Sequence, residues 1–225
     1  MKVKVGIVYT STTPELIETM EHELGKNLGQ EAELLSYQDP SILAEVREAG
    51  YVTAGAAARL VSMFMRAVSD GADAVLNVCS SVGEAADAAR EIGLYMGVPI
   101  VRIDEEMCRE AVRLGRRIGV LATLPTTLEP TKNTLRRVAR ELGKQIELVD
   151  GLIDGAFGLN QDEFRKRMAD RTAEIADQTD VILLCQGSMA YVEGYLQKMF
   201  EKPVVSSPRF GAAAIKRALK EKGLC

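Results

Sequence analysis

Histidine is nearly absent from this chain of 225 residues, which contains one histidine, four cysteines and no tryptophan. Catalysis by a Ser-His or Cys-His pair, and zinc sites built on several histidines, need imidazoles that this sequence does not supply. The single histidine, His22, lies in a polar helical pattern, and we expect it to be exposed. No Cys-x-x-Cys spacing occurs, which argues against a zinc ribbon or a thioredoxin-type redox site.

Several other features are missing, and each absence excludes a class of partner. No apolar run approaches the roughly 18 residues of a membrane-spanning helix, and the first nine residues are typical of a strand rather than a signal peptide. The 28 basic and 32 acidic residues give a net charge of -4, and no basic groove with interleaved aromatic residues occurs. There is no G-x-G-x-x-G motif and no P-loop. We therefore expect a cytoplasmic protein with reduced thiols that binds no nucleic acid, nucleotide or membrane.

What is present indicates an α/β fold, because strand-like and helix-like segments alternate along the whole chain. Hydrophobic residues make up 47% of the chain and charged residues 27%, which is typical of a folded protein with a substantial core. The predicted strands are Val3–Tyr9, Ala32–Ser36, Asp73–Cys79, Ile100–Ile103, Ile118–Ala122, Gln145–Val149, Val181–Cys185 and Val204–Ser206. The predicted helices are Pro14–Leu28, Val52–Ser69, Gly83–Tyr95, Glu105–Leu114, Leu128–Leu142, Gln161–Asp177, Ala190–Phe200 and Gly211–Lys222. Short apolar strands alternating with helices predict mostly parallel sheets with helices on both faces.

The two halves of the chain resemble each other in sequence. The segment Val5–Thr10 corresponds to Ile118–Thr123, and Gly97–Val101 corresponds to Glu201–Val205. A repeat of roughly a hundred residues predicts two domains related by a pseudo-twofold axis, each with a four-stranded sheet, and an active site in the cleft between them. The predicted domains are residues 1–103, with the C-terminal helix 207–225 as a candidate addition, and residues 104–206.

Cys79 and Cys185 are the candidate catalytic residues, because each ends an apolar strand-like run and precedes a helical pattern. We interpret them as matching positions of the two halves. A thiol at this point lies where ligands bind in open α/β sheets, and it faces the positive end of a helix, which is expected to lower its pKa. Cys108 falls inside a helical pattern and is predicted to be structural, and Cys225 is the last residue.

Hydroxyl-rich turns follow these predicted strands. The segment Ser81–Glu84 has the spacing of a capping box, which predicts a helix start whose free N–H groups could hold an anion. Ser188 occupies a similar turn in the second half, and Thr10–Pro14 and Thr123–Thr127 form a further pair. In a parallel sheet these turns share one edge, so that their hydroxyl and amide groups could converge on a carboxylate.

A cleft with a thiol on each side suits inversion at a carbon that is α to a carboxylate or carbonyl. One thiolate would remove the proton from one face, and the opposite thiol would deliver a proton to the other face. The developing enediolate needs hydrogen-bond donors, which helix-terminal amides and Ser or Thr hydroxyls can provide.

The motifs that carry this pattern resemble those of the aspartate/glutamate/hydantoin racemase superfamily. The resemblance rests on Val75–Ser81, on Ile118–Thr123 with Thr126-Thr127, and on Leu183–Met189, and the duplicated layout extends it over essentially the whole chain. It implies that Cys79 and Cys185 are the acid/base pair, that no PLP or metal cofactor is used, and that subunits form a homodimer or higher homo-oligomer. It also implies candidate residues for binding the substrate carboxylate or cyclic amide, which are Ser11, Ser80, Ser81, Thr126, Gln186 and Ser188.

The substrate and the reaction stay open at this stage. Amino-acid racemases of the superfamily usually carry Asn-Thr and Thr-Glu, or similar residues, where this chain has Ser80-Ser81 and Gln186-Gly187. An acidic group for a substrate amine is therefore not evident, which leaves hydantoins and other carboxylates as candidates. The leading prediction is a cofactor-independent racemase or epimerase of an amino acid or hydantoin-like substrate. The alternatives are a decarboxylase with one essential cysteine, a cis-trans isomerase with a nucleophilic cysteine like maleate isomerase, and a non-catalytic small-molecule-binding protein.

Overall fold

The structure is a computed structural model that describes residues 2–11, 13–29 and 32–224. Thr12 and Cys225, which the sequence interpretation includes, lie outside the described residues. The chain divides into two compact units. The first contains the chain up to Ile103 together with the chain from Pro208 onward, and the second contains Asp104–Ser207.

Strands and helices alternate through both units. The strands are β1 Lys4–Tyr9, β2 Glu33–Gln38, β3 Ala74–Asn77, β4 Ile100–Arg102, β5 Arg117–Ala122, β6 Glu147–Leu152, β7 Val181–Leu184 and β8 Val204–Ser206. The helices are α1 Pro14–Leu28, α2 Pro40–Ala49, α3 Ala54–Ser69, α4 Gly83–Tyr95, α5 Glu105–Leu114, α6 Pro125–Glu141, α7 Gln161–Ile175, α8 Glu193–Phe200 and α9 Ser207–Glu221.

Each unit contains one four-stranded sheet, and the two sheets have the same topology. The strand order is β2-β1-β3-β4 in the first sheet and β6-β5-β7-β8 in the second. All neighbouring strands are parallel. The predicted fold class, an α/β fold of two four-stranded parallel sheets flanked by helices, is therefore confirmed.

Strand β1 shows how the sequence covers both faces of a sheet. Val5, Ile7 and Tyr9 belong to one buried cluster with residues of α1 and α9, whereas Val8 belongs to a second cluster with residues of α2, α3 and α4. This alternation follows from the two-residue period of a strand, which sends successive side chains to opposite faces. Because helices cover both faces, the strand is buried from Val5 to Tyr9, and only Lys4 at its start is charged. In the second unit, one face of the sheet is packed in the same way by residues of α7 and α8.

Asp180 fixes the start of the second sheet. Its carboxylate accepts hydrogen bonds from the backbone N–H groups of Arg116, at 3.0 Å, and Arg117, at 2.8 Å. It also accepts two from the Arg117 guanidinium, at 3.0 and 2.7 Å. The backbone and side-chain hydrogen bonds from Arg117 hold the pKa of Asp180 at about 2, below its usual value. Asp73 has the corresponding position in the first unit and accepts a hydrogen bond from the Lys4 N–H at 2.9 Å.

The lowered pKa of Asp180 predicts a defined loss of stability in acid. A group with a depressed folded-state pKa contributes stability above its unfolded pKa of about 3.9, and this contribution is lost as the pH falls through the folded value. We expect Asp180→Asn to be less stable than the wild type at pH 6, with the difference shrinking as the pH falls from about 4 toward 2. Urea unfolding at several pH values measures this difference. A penalty of the same size at pH 6 and at the acid end would contradict the assignment.

Within the part of the chain that the structure describes, no helix combines the length and the apolar character needed to cross a membrane.

Candidate active site

Cys79 lies just beyond the carboxyl end of β3. Its backbone is extended, with φ -156° and ψ 116°, and it immediately precedes a 3-10 turn, Ser80–Val82, after which α4 begins. The Asn77 side-chain amide donates to the Cys79 carbonyl oxygen at 2.9 Å. This hydrogen bond connects the last strand residue to the loop and fixes the direction in which the chain leaves the sheet.

Hydrogen-bond donors surround the Cys79 thiol. The hydroxyls of Thr10 and Ser81 and the backbone N–H groups of Ser81 and Val82 all contact the sulfur. Thr10 is the first residue after β1, the neighbouring strand, and its hydroxyl lies beside the sulfur without a hydrogen-bond partner among the described residues. Thr10 and Ser81 are buried, whereas Cys79 is partly exposed. The arrangement is that of a reachable thiol whose anionic form would be stabilised on several sides.

The pKa of Cys79 is nevertheless raised above the usual value of a thiol. Burial is the largest cause, and the hydrogen bonds from Thr10, Val82 and Ser81 lower the pKa by less. The expectation that the helix end gives this cysteine a low pKa is therefore wrong. The loss of hydration destabilises the thiolate by more than these donors stabilise it.

The predicted capping box after Cys79 is also wrong. Helix α4 begins at Gly83, and Val82 is the residue that caps it, without a side-chain cap hydrogen bond. The Ser81 hydroxyl contacts the thiol instead of serving as the cap. The predicted helix start at Gly83 was correct, but Val82 rather than Ser81 is in the cap position, because Ser81 lies inside the preceding 3-10 turn.

A buried arginine holds the beginning of α4 against the sheet. Arg102, at the end of β4, is 2% exposed, and its guanidinium donates to Asp87 of α4 at 2.5 Å. A Cβ atom on Gly83 would lie only 2.3 Å from this guanidinium, so the absence of a side chain at Gly83 makes room for it. The arginine thus positions the turn that carries the N–H donors of Cys79. No sequence pattern points to this residue.

Cys185 has a different environment. It is fully buried, and its thiol contacts the hydroxyl of Thr131 on α6. The Thr131 hydroxyl donates to the Thr127 carbonyl oxygen at 2.8 Å, so its oxygen is oriented to accept the thiol hydrogen. Burial raises the pKa of Cys185 strongly, and the negative charges of Asp104 and Asp150 raise it further, against a smaller lowering by Thr131. The predicted lowering of this pKa is therefore wrong as well, and Cys185 is a protonated thiol at neutral pH.

Gln186, the residue after Cys185, is bound to Thr123 by two hydrogen bonds. Its Oε1 accepts from the Thr123 N–H at 2.9 Å, and its Nε2 donates to the Thr123 hydroxyl at 2.6 Å. Gln186 is partly exposed, and Thr123 is buried. Both amide ends of the glutamine are therefore engaged at the carboxyl edge of the second sheet.

The sheet register does not match the two cysteines with each other. Val8 pairs with Asn77 in the first sheet, and Leu121 pairs with Leu184 at the corresponding place in the second. The N–H of the next residue donates to the carbonyl oxygen of that partner in each unit. Val78 donates to Val8, and Cys185 donates to Leu121, both at 2.9 Å.

Cys185 therefore corresponds to Val78, and Gln186 corresponds to Cys79. The sequence interpretation that paired the cysteines is wrong by one residue. The offset is visible in the sequence, because Cys79 is six positions after Asp73, whereas Cys185 is only five positions after Asp180.

The other predicted substrate-binding residues lie at the carboxyl edges of the two sheets. In the first unit, Ser80 is buried next to Cys79, and Ser11 is half-buried after Thr10. In the second unit, Ser188 is half-buried in the 3-10 turn that follows Gln186. Thr126 lies in the first turn of α6, and its buried hydroxyl has no hydrogen-bond partner among the described residues. Their contacts with a substrate stay predictions.

Three threonines that contact these polar groups were not among the predicted site residues, although Thr10 and Thr123 begin the two hydroxyl-rich turns named above. Thr10 and Thr123 are the first residues after β1 and β5, and the repeated segments Val5–Thr10 and Ile118–Thr123 already placed them at equivalent strand ends. That repeat was the signal that could have identified them. Thr131 is inside α6, and no sequence pattern connects it with Cys185.

Among the described residues, no three or more His, Cys, Asp or Glu side chains are grouped so that they could hold a metal ion. His22 is exposed on α1, as predicted, and Cys108 is buried on α5.

The sequence matches the family model described as Asp/Glu/Hydantoin racemase over residues 5–215. The chain therefore belongs to this racemase family, and racemases are isomerases, so the predicted enzyme class is confirmed. No curated protein matches the sequence at the required significance.

Solved structures with the same fold are numerous but distant in sequence. An allantoin racemase from Klebsiella pneumoniae is similar with a TM-score of 0.71 and 19% identity, over 99% of this chain and 89% of that one. A glutamate racemase from Bacillus anthracis gives a TM-score of 0.76 at 16% identity, over 100% and 84% of the two chains. An unliganded arylmalonate decarboxylase gives 0.60 at 16% identity, over 96% and 92%. At these identities the similarity defines the fold and leaves the substrate open.

Proposed function

We propose that this protein is a cofactor-independent racemase or epimerase that acts at the carbon α to a carboxylate or carbonyl, with Cys79 as a proton-transferring residue. The observation that carries the proposal is the Cys79 thiol itself, which is partly exposed at the carboxyl edge of a parallel sheet and contacted by four donor groups. Ligands bind at this edge in open α/β sheets. Family membership supports the racemase-type chemistry.

The proposed reaction begins with removal of the α proton by the Cys79 thiolate. The sulfur–hydrogen bond forms as the carbon–hydrogen bond breaks, and the electron pair moves into the carbonyl group to give an enolate. Donors beside the sulfur, such as the Ser81 and Val82 N–H groups, are suited to stabilise the negative charge on oxygen. Return of a proton to the opposite face of the planar carbon inverts the centre. The sequence predicts that the Cys185 thiol supplies this proton, a role that its full burial does not support.

The proposed substrate is a small carboxylate or a cyclic amide, with amino acids and hydantoin-like rings as the leading classes. Allantoin, glutamate and aspartate racemases are among the structures with this fold. Ser11, Ser80, Thr126 and Ser188 are the proposed hydroxyl groups for binding it. A homodimer or higher homo-oligomer and a cytoplasmic location stay predictions.

A decarboxylase is the second candidate function. The observation that favours it is the difference between the thiols, because Cys79 is partly exposed and Cys185 is fully buried. Decarboxylation followed by protonation needs one proton donor rather than two. An arylmalonate decarboxylase is among the structures with this fold.

Proton exchange at the substrate carbon tests the proposal. We expect the purified protein, without added cofactor, to incorporate deuterium from D2O at the α carbon of at least one amino acid or hydantoin, with loss of optical rotation. The panel should contain chiral amino acids, hydantoins and substituted malonates, followed by NMR, polarimetry and carbon dioxide release. Carbon dioxide release from a malonate without racemisation would favour the decarboxylase. Binding of panel members without exchange, inversion or gas release would contradict both functions.

A further inference from the structure

We propose that, of the three cysteines that the structure describes, Cys79 alone transfers protons, and that Gln186 occupies the position in the second unit that corresponds to Cys79. This inference rests on the proposed function and departs from the two-cysteine mechanism predicted from the sequence. Three correspondences between the two units and the environment of Cys185 support it.

The first correspondence is the strand register, which is the same at both ends of β3 and β7. Just before β3, the Asp73 N–H donates to the Lys4 carbonyl oxygen at 2.7 Å. Just before β7, the Asp180 N–H donates to the Arg117 carbonyl oxygen at the same distance. Lys4 and Arg117 are the first residues of β1 and β5. At the end of the strands, the hydrogen bonds of Val78 and Cys185 correspond in the same way. Because the register is kept from end to end, no bulge shifts Cys185 onto the position of Cys79.

The second correspondence is the backbone that follows. Cys79 and Gln186 each have an extended backbone and each immediately precede a 3-10 turn, Ser80–Val82 in one unit and Gly187–Val192 in the other. Both residues are partly exposed. Cys185 precedes this point by one residue.

The third correspondence is a contact. Thr10 and Thr123 are matching residues at the ends of β1 and β5, and each contacts the residue at the position in question. The Thr10 hydroxyl contacts the Cys79 sulfur, and the Thr123 hydroxyl and N–H contact the Gln186 amide. The same threonine position therefore contacts a thiol in the first unit and an amide in the second.

The environment of Cys185 agrees with a structural role. Successive residues of an extended chain point to opposite sides, so Cys185 and Gln186 cannot present their side chains in the same direction. Cys185 is fully buried, and its contact is Thr131, whose hydroxyl hydrogen is used by the Thr127 carbonyl. The neighbouring charges, Asp104 and Asp150, are negative and oppose formation of a thiolate.

A single thiol constrains the chemistry. The proton that the Cys79 thiolate removes resides on Cys79 as S–H, and the same S–H bond must break when the carbon is protonated again. Gln186, a neutral amide, neither removes nor supplies a proton at neutral pH. Inversion therefore requires the planar intermediate to present its second face to Cys79 before the proton returns.

Replacement of Cys185 by alanine tests this assignment by activity. We expect Cys185→Ala to keep α-carbon exchange and racemisation within about threefold of the wild type, with an unchanged pH profile. Cys108→Ala is the matched control, because Cys108 is a second buried cysteine in the same unit. A folded Cys185→Ala protein that loses activity by 100-fold or more, while Cys108→Ala keeps it, would overturn the inference. If the wild type shows no exchange with any substrate, the proposed function fails, and the labelling experiment below still decides the assignment.

Alkylation of the thiols tests the geometry without a substrate. We expect iodoacetamide, followed by peptide mass spectrometry, to label Cys79 in the native protein and to leave Cys185 unlabelled until urea unfolds it. In the variant Gln186→Cys, the new thiol should be labelled at a rate within about tenfold of Cys79. Native labelling of Cys185 as fast as Cys79 would overturn the inference. A new thiol at position 186 that is as unreactive as Cys185 would do the same.

Discussion

Replacing Cys79 with serine is expected to lower kcat/KM for α-carbon exchange by about 10³-fold or more, since a positioned acid/base typically contributes 10²–10⁴-fold. A serine hydroxyl fits the space and keeps the contacts with Thr10 and Ser81, but it is a far weaker acid than a thiol. The loss would therefore report the acid/base step rather than packing. Exchange of the substrate α proton in D2O measures it.

The control for this variant is its stability and its pH profile. Because burial raises the pKa of Cys79, the wild-type thiolate fraction increases with pH above neutrality, and we expect the exchange rate to rise in the same direction. Cys79→Ser should unfold at the same urea concentration as the wild type, and its residual rate should lose the thiol-dependent rise. A variant with near wild-type exchange, or with an unchanged pH profile, would exclude Cys79 as the proton-transferring group.

The fold could be predicted because its signal repeats along the chain. Short apolar strands buried on both faces alternate with helical patterns, and corresponding strands such as β1 and β5 carry similar residues in both halves. The helix start at Pro14 was also correct, since proline favours the first turn, whereas α6 begins at Pro125, three residues before the predicted Leu128. These signals are local, and each strand or helix adds independent support to the same architecture.

Helix α2 was missed although its local signals are present. Asp39 caps the helix by accepting a hydrogen bond from the Ser41 N–H at 3.0 Å, Pro40 occupies the first turn, and Ile42 and Val46 bury one face. The helix is ten residues long and directly follows β2, so its apolar positions are too few to stand out from a loop. Its packing against α3 supplies what the local pattern does not.

The chemistry of the site was less predictable than its position. The sequence identified Cys79 and Ser81, because both lie in the short segment between the end of β3 and the start of α4. It did not reveal that burial outweighs the helix end in setting the pKa of Cys79. It also paired Cys185 with Cys79, because two identical residues are a stronger signal than a one-residue difference in their spacing from Asp73 and Asp180. Only the pairing of β5 with β7 shows that Gln186 holds the corresponding position.

The close packing of α4 against β4 predicts a large effect on stability. Two helical glycines, one tightly packed and one with open space around it, allow the comparison. A Cβ atom on Gly93 of α4 would lie 2.7 Å from the Val98 carbonyl oxygen and 2.9 Å from Cγ1 of Ile100. A Cβ atom on Gly25 of α1 would have no neighbour within 4 Å. We expect Gly93→Ala to lower the free energy of unfolding by about 2–3 kcal/mol through overpacking. Gly25→Ala should raise it by about 0.5–1 kcal/mol, because alanine is the better helix former.

Urea denaturation measures the free energy of unfolding of the two variants, which we expect to change in opposite directions. A change of the same sign and size in both would contradict the prediction. The comparison also reaches the site, because α4 begins next to the turn whose N–H groups contact the Cys79 sulfur. A shift of α4 away from β4 would move those donors and expose the sulfur to water. We therefore expect Gly93→Ala, and not Gly25→Ala, to increase the rate at which Cys79 is alkylated in the native protein.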